Sequence, residues 1–292
     1  MAVADKPSIA FIGTGVMGKS MAGHILKAGY PLYVYNRTKA KADELVEKGA
    51  IWADSPKEVA EKTKIVFTIV GFPQDVEETY LGENGLITHG KEGTYFVDMT
   101  TSSPSLAKKM YEEGKKKGIP VLDAPVSGGD IGAREARLAI MVGGDKDAFD
   151  YVLPVFEVMG KNITYLGEAG AGQHTKMANQ VAIASGMIGV CEALVYAKKA
   201  GLDVQKVVDT ISTGAAASFS LSSYAPRILK EDYTPGFFIK HFIKDMTIAL
   251  NEAEKMGIDL PGLALAKEMY EKLAAQGEEN SGTQALYKYW DV

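Results

Sequence analysis

Ile9-Ala10-Phe11-Ile12-Gly13-Thr14-Gly15-Val16-Met17-Gly18 decides the fold, because four apolar residues run directly into a glycine turn. Residues 19–29 behind it carry the spacing of an amphipathic helix. Strand, tight turn and helix bring a pyrophosphate against backbone N–H groups at a helix N-terminus. In that reading Gly13 makes the turn, Gly15 lets the backbone approach the ligand, and Gly18 packs helix on strand. Val16 and Met17 complete the loop. A glycine turn without a ligand is the plain alternative. The position of the turn, after a strand and near the N-terminus, favours a dinucleotide.

The next strand, around Leu32–Tyr35, ends in Asn36-Arg37-Thr38. A site for NAD usually places Asp or Glu there to bond the ribose 2′-hydroxyl. No carboxylate occurs between Lys19 and Lys41. The Arg37 guanidinium instead suits a 2′-phosphate, with Asn36 and Thr38 as neutral hydrogen-bonding neighbours. The expectation is therefore NADP(H), with NAD(H) as the lesser alternative.

Composition fits an enzyme of two domains. The 292 residues carry a net charge of −5, which argues against a nucleic-acid protein. One cysteine, Cys191, allows no internal disulfide, and His24, His89, His174 and His241 show no metal-ligand spacing. Residues 1–7 hold no apolar core of a signal peptide, so a cytoplasmic protein is expected. The best membrane candidate, residues 177–191, is short and includes Asn179, Gln180 and Ser185; no membrane span is expected.

Up to about Gly167, strand candidates (Ile9–Ile12, Leu32–Tyr35, 65–70, Tyr95–Asp98, 121–122, 139–142 and 163–166) alternate with helical segments (40–48, Pro56–Lys62, 105–117 and 146–159). That alternation predicts a largely parallel, doubly wound α/β sheet of the Rossmann type. Strand signals then stop. Residues 173–200 read as one long helix, apolar nearly all round, which other helices or a partner subunit must bury. Residues 204–213, 242–256 and 261–276 continue an all-α pattern. The domains are expected at 1–167 and 168–292, with the glycines of 167–172 as hinge and chemistry in the cleft between them.

Lys176 stands out in Gly170-Ala-Gly-Gln-His-Thr-Lys176-Met-Ala-Asn179. A helix beginning after Gly172 would put Lys176 in its first turn with Asn179 one turn on. There the helix dipole disfavours the ammonium form, and a lysine so placed can exchange a proton with an alcohol or carbonyl oxygen. A solvated surface lysine is the competing reading. Asp123-Ala-Pro-Val-Ser127-Gly128-Gly129 follows a strand and offers N–H donors and a hydroxyl, a cradle for a small anion or an ordinary polar loop. In Thr100-Thr101-Ser102-Ser103-Pro104, Ser103 reads as a helix N-cap, which leaves Thr101 free for the cofactor. Lys244-Asp245 reads as a local ion pair near a helix start, and residues 214–223 as a small-residue loop or tight turn.

Taken in order, Gly13–Gly18, Asp123–Gly129, Gly170–Asn179 and Lys244-Asp245 resemble the β-hydroxyacid dehydrogenase family, from Ile9 to about Ala274. The resemblance implies hydride transfer between a nicotinamide and a short β-hydroxy acid or its semialdehyde. It implies that Lys176 is the catalytic acid/base, that Asn179 orients substrate, and that Ser127, Gly128 and Gly129 hold the substrate carboxylate. Thr101 and Lys244 would meet the cofactor, and Val70 would line its site. A homodimer or homotetramer is expected, since the 173–200 helix has more apolar circumference than one small domain covers. The chain departs from the pattern at Gln180, where a second asparagine is common, at Ala136, where glycine is frequent, and at Gly71-Phe72, usually Leu-Pro-like. Imine reductases and non-catalytic scaffolds or sensors of the same fold are the alternatives. The first two usually lack a lysine at position 176.

Overall fold

The apolar residues before the glycine turn form a fully buried strand, β1 (Ile9–Ile12). The structure is a computed structural model and describes residues 6–290. After β1 come β2 (Leu32–Tyr35), β3 (Ile51–Trp52), β4 (Ile65–Thr68), β5 (Tyr95–Asp98), β6 (Val121–Asp123), β7 (Val126–Ser127), β8 (Leu138–Gly143) and β9 (Gly160–Gly167). Their order in the sheet is β3-β2-β1-β4-β5-β6-β8-β7, with β9 on β8. Pairing is parallel from β3 to β6 and between β8 and β9, and antiparallel where β8 meets β6 and β7.

Chain order reverses at β1, which pairs in parallel with both β2 and β4. Such a switch point is where ligands bind in a doubly wound sheet. The 13–18 turn and residues 69–70 both lie there, at the carboxyl ends of β1 and β4. Successive β1 side chains point to opposite faces: Ile9 and Phe11 join one apolar core, Ala10 and Ile12 the other.

Helices of the first unit are α1 (Gly18–Lys27), α2 (Asp43–Glu47), α3 (Pro56–Lys62), α4 (Pro73–Leu81), α5 (Leu86–His89), α6 (Pro104–Lys115), α7 (Gly129–Arg134) and α8 (Lys146–Phe156). Then follow α9 (Ala171–Lys199), α10 (Val204–Ile211), α11 (Phe219–Ile228), α12 (Ile239–Met256) and α13 (Pro261–Leu273). Compact units are Met1–Lys176 and Met177–Val292. The division falls inside α9, whereas the expected boundary at 167/168 precedes that helix.

Several short elements differ from expectation. β3 and β7 have two residues each, too few to show a period. The helix expected at 40–48 is a 3₁₀ turn, Lys39–Lys41, followed by α2. Part of the small-residue segment is α11, capped by Ser218, whose Oγ accepts from Leu221 N at 3.0 Å. α9 has 29 residues, long and apolar enough by length and composition to cross a membrane. Shortness therefore does not argue against a span; one side of the helix, with Met187, Cys191 and Leu194, is buried in one core with Phe242, Met246 and Tyr270.

The carboxyl ends of β4 and β5 are locked together by Asp98, which is fully buried. Its Oδ1 accepts from Thr68 Oγ1 at 2.9 Å and from Thr100 N at 3.1 Å. Thr68 Oγ1 also meets the buried Tyr80 hydroxyl at 2.9 Å. Burial pushes the Asp98 carboxyl up to about 6, against the hydrogen bonds from Thr100 and Thr68, with nearby Asp123 adding to the rise. The folded chain thus binds more protons than the unfolded one between about 3.8 and about 6. The contribution of Asp98 to stability is fully present below that window and is lost as pH rises through about 6. Asp98→Asn removes the titration. Its melting temperature relative to the parent is expected to be highest at pH 7–8 and to fall progressively toward pH 4.5. A difference that stays constant across that range contradicts the displaced carboxyl.

Candidate active site

Sterics show what each glycine of the first turn does. Gly13 has φ +96°, and a Cβ there would sit 2.0 Å from the Ile69 carbonyl oxygen. On Gly18 a Cβ would lie 1.8 Å from the Gly13 carbonyl oxygen, so this glycine brings α1 onto the turn. A Cβ on Gly15 would meet nothing within 4 Å. Protein packing does not require glycine at that position, whereas close approach of a ligand does. No side chain caps the N-terminus of α1, and no acidic residue lies in its first turn. Open N–H groups and absent negative charge fit a pyrophosphate. Val16 is exposed, and Met17 packs against the core.

Asn36 holds the turn rather than standing ready in solvent. Its Oδ1 accepts from Thr14 N at 3.0 Å, and its Nδ2 donates to the Thr38 carbonyl at 2.8 Å. The Arg37 side chain is 87% exposed, and its Nη1 lies 3.4 Å from Asp75 Oδ1. The other oxygen of Asp75 accepts from Phe72 N at the start of α4. A carboxylate therefore stands beside Arg37 after all, contributed by α4 rather than by the end of β2. The sequence signal was Pro73 followed by Asp75, an acidic residue in a proline-initiated first turn.

The loop after β5 is tied on both sides. Val70 N donates to Thr100 Oγ1 at 2.9 Å. Gln173, fully buried in the first turn of α9, accepts from Ser102 N at 2.9 Å and donates to the Thr100 carbonyl at 2.7 Å. Thr101 lies between those two peptide groups.

In the Asp123–Gly129 segment the leading residue has a role that local sequence reading missed. Asp123 Oδ1 accepts from Gly170 N at 2.7 Å, and Oδ2 from Gln173 N at 2.8 Å. A carboxylate on the first N–H groups of α9 satisfies orphan donors and complements the helix dipole. Burial raises the Asp123 carboxyl, and those backbone hydrogen bonds oppose the rise. A Cβ on Gly172 would lie 2.3 Å from the Met141 carbonyl and 2.7 Å from that of Asp123, so glycine lets the helix start come this close. Ser127 ends β7, and Gly128 and Gly129 follow at φ +131° and +63°. Ala136 holds φ +51°, a left-handed conformation that glycine adopts with less strain.

Lys176 is buried, with 7% exposure. It is the sixth residue of α9 and lies in the second turn, not the first. The dipole effect falls off within the first turn, so burial and neighbours carry any argument about this lysine. Asn179 follows one helical turn later. Asn179 Nδ2 donates to Gln180 Oε1 at 2.7 Å, and Gln180 Nε2 donates to Asp245 Oδ2 at 2.6 Å. Lys244 Nζ lies 3.0 Å from Asp245 Oδ1, and both side chains are largely buried. The Lys244-Asp245 ion pair is thus continuous with the amide of Asn179 through Gln180.

Residues 8–167 match the family described as the NAD-binding domain of 6-phosphogluconate dehydrogenase. Residues 170–290 match the family described as NAD-binding of NADP-dependent 3-hydroxyisobutyrate dehydrogenase. An uncharacterized oxidoreductase of Bacillus subtilis is 61% identical over 98% of this chain and 99% of its own. A probable mitochondrial 3-hydroxyisobutyrate dehydrogenase-like protein of Arabidopsis thaliana is 51% identical over 95% and 83%. The solved 3-hydroxyisobutyrate dehydrogenase of Mycobacterium tuberculosis with L-serine matches with a TM-score of 0.90 at 28% identity, covering 98% of this chain and 100% of that one. Near-complete coverage at this identity, over a switch point shaped for a dinucleotide, makes the chain a member of the β-hydroxyacid dehydrogenase family of pyridine-nucleotide-dependent oxidoreductases.

Proposed function

We propose that the protein interconverts a short β-hydroxy acid and its semialdehyde or keto acid, with Lys176 as general acid/base. The observation that carries this reading is the burial of Lys176, at 7% exposure, on an anchored helix one turn before Asn179. Lysines are almost never so buried on an ordinary solvated face. A bound reduced nicotinamide supplies the hydride. Lys176 Nζ gives a proton to the carbonyl oxygen as it becomes an alkoxide and takes one back in the oxidation. Asn179 orients that oxygen. Ser127 and the N–H groups of Gly128 and Gly129 hold the carboxylate that marks the substrate class. Val70, Thr101 and Lys244 would meet the cofactor, and the 13–18 turn would hold its pyrophosphate. One buried cysteine needs no oxidising compartment, and the proposed location is the cytoplasm.

Lys176→Ala is expected to lower kcat by about 10²–10⁴-fold, the range for loss of a positioned acid. NADPH affinity, followed by fluorescence titration, should change little. Wild-type turnover on the best substrate in a panel of short aldehyde-acids would remove Lys176 from the mechanism.

For the cofactor we propose a preference for NADP(H). Arg37 must exchange Asp75 for the 2′-phosphate. An exposed ion pair contributes at most about 1 kcal/mol, whereas a charge-assisted hydrogen bond contributes roughly 1.5–3 kcal/mol. The exchange therefore favours the phosphate. Arg37→Ala should shift the NADPH:NADH ratio of kcat/KM by about ten- to a hundred-fold, with NADH use nearly untouched. Equal losses with both cofactors would make Arg37 a structural residue.

We also propose a homo-oligomer, a dimer or tetramer, built on α9. Along one side this helix leaves Ala182, Ser185, Gly186 and Gly189 exposed, small residues that allow a second copy to approach closely, with Glu192 and Tyr196 exposed further along the same side. Light scattering at micromolar concentration should give at least twice the 31.3 kDa chain mass. A monomeric mass overturns the proposal.

A further inference from the structure

We infer that Gln173 is a positioning residue that sets the geometry between the cofactor loop at Thr101 and the acid/base at Lys176. The inference rests on the roles proposed above for those two residues, and it concerns what holds them in register.

Gln173 makes three hydrogen bonds from full burial. Its backbone N donates to Asp123 Oδ2 at 2.8 Å, which fixes the helix start against the end of β6. Its side-chain amide accepts from Ser102 N at 2.9 Å and donates to the Thr100 carbonyl at 2.7 Å. Those two peptide groups flank Thr101, so one planar amide brackets that residue from both sides. Thr100 is held in turn by Asp98 and accepts from Val70 N, which joins the loop after β4 to the same bracket. Lys176 lies three residues beyond Gln173 in α9, a neighbour on the same helical face. A path of hydrogen bonds and one helical turn therefore connects Val70, Thr101 and Lys176.

The chemistry of the bracket explains the residue type. Bridging a carbonyl and an N–H two positions apart needs a donor and an acceptor fixed on one rigid group. Asparagine has that group on an arm one methylene shorter. Glutamate, when ionised, has no donor for the Thr100 carbonyl. Methionine fills similar volume and makes neither bond.

The test is Gln173→Met, assayed as steady-state kinetics per mole of folded protein, with the primary isotope effect measured using NADPH deuterated at the transferred position. Hydride transfer is sensitive to misplacement, and about 1 Å can cost about 10²-fold. The expected result is a fall in kcat of about that size, a smaller change in the KM for NADPH, and an isotope effect on kcat that rises as the chemical step becomes limiting. A merely structural role would lower the melting temperature but leave kcat and the isotope effect of the folded fraction unchanged. Turnover within about threefold of the parent overturns the inference, whatever the stability. Gln173→Asn, which keeps the amide on a shorter arm, serves if the methionine variant does not fold. It should show an intermediate loss of kcat, and parental kcat in it equally overturns the inference. If Lys176→Ala abolishes turnover while these variants retain it, only the role of Gln173 fails. If Lys176→Ala keeps turnover, the acid/base assignment itself fails.

Discussion

The carboxylate of Asp123 on the N-terminus of α9 is the interaction on which the rest of the site depends. Gly170 and Gln173 each give it a backbone N–H, within 2.8 Å. The first turn of a helix has N–H groups with no partner inside the helix, and burying them unpaired costs about 1–3 kcal/mol each. Burying a carboxylate without donors is costlier still. Each group removes the other's penalty, so the pair forms in one arrangement. That arrangement fixes where α9 begins, and so where Gln173 and Lys176 lie relative to the ends of β5 and β6. Gly172 and Gly143 are part of the same constraint, since a Cβ on either would approach an Asp123 oxygen to within 2.9 Å.

What the sequence made legible follows the range of the physics involved. The switch-point fold was readable because the Ile9–Ile12 run and its glycine turn are governed by neighbours within ten residues. The long apolar helix was readable from its own spacing, to within two residues at its start. The partners of Asp98, Gln173 and Gln180 were not readable. Each bonds a residue 30 to 73 positions away, and no local pattern distinguishes a buried amide from a solvated one. Lys176 shows the same limit. Its motif points to it, and a helix starting after Gly172 would put it in the first turn, where the dipole acts; α9 starts at Ala171 instead, and burial distinguishes this lysine. Asp75 lies 38 positions from Arg37 on α4, beyond the reach of any pattern at the end of β2.

Two carboxyls, Asp98 and Asp123, are buried in the first unit, each raised by burial, and Asp123 further disfavours ionisation of Asp98. They are answered differently. Asp123 has backbone donors on both oxygens, whereas Asp98 has donors on Oδ1 and none among the described residues on Oδ2. The less satisfied group holds the carboxyl ends of β4 and β5, and the better satisfied one holds the start of α9. A buried acceptor without a donor is a cost that the fold carries. Thr68 and Thr100 offset part of it by donating to Oδ1, and the Tyr80 hydroxyl backs Thr68.

The second unit uses a longer side chain to similar effect. Gln180 uses one amide on a two-methylene arm to reach both Asn179 and Asp245. Asp245, held by Lys244, can only accept, so it orients Gln180 with Nε2 toward the carboxylate and Oε1 toward Asn179. Asn179 must then present Nδ2 to Gln180. The choice of donor and acceptor at Asn179 is thereby imposed from Asp245 through one amide. A hydrogen-bond chain ending on a carboxylate has a single sense, unlike one made of amides alone, which can flip end for end. Charge at Asp245 thus specifies polarity at Asn179, two side chains away.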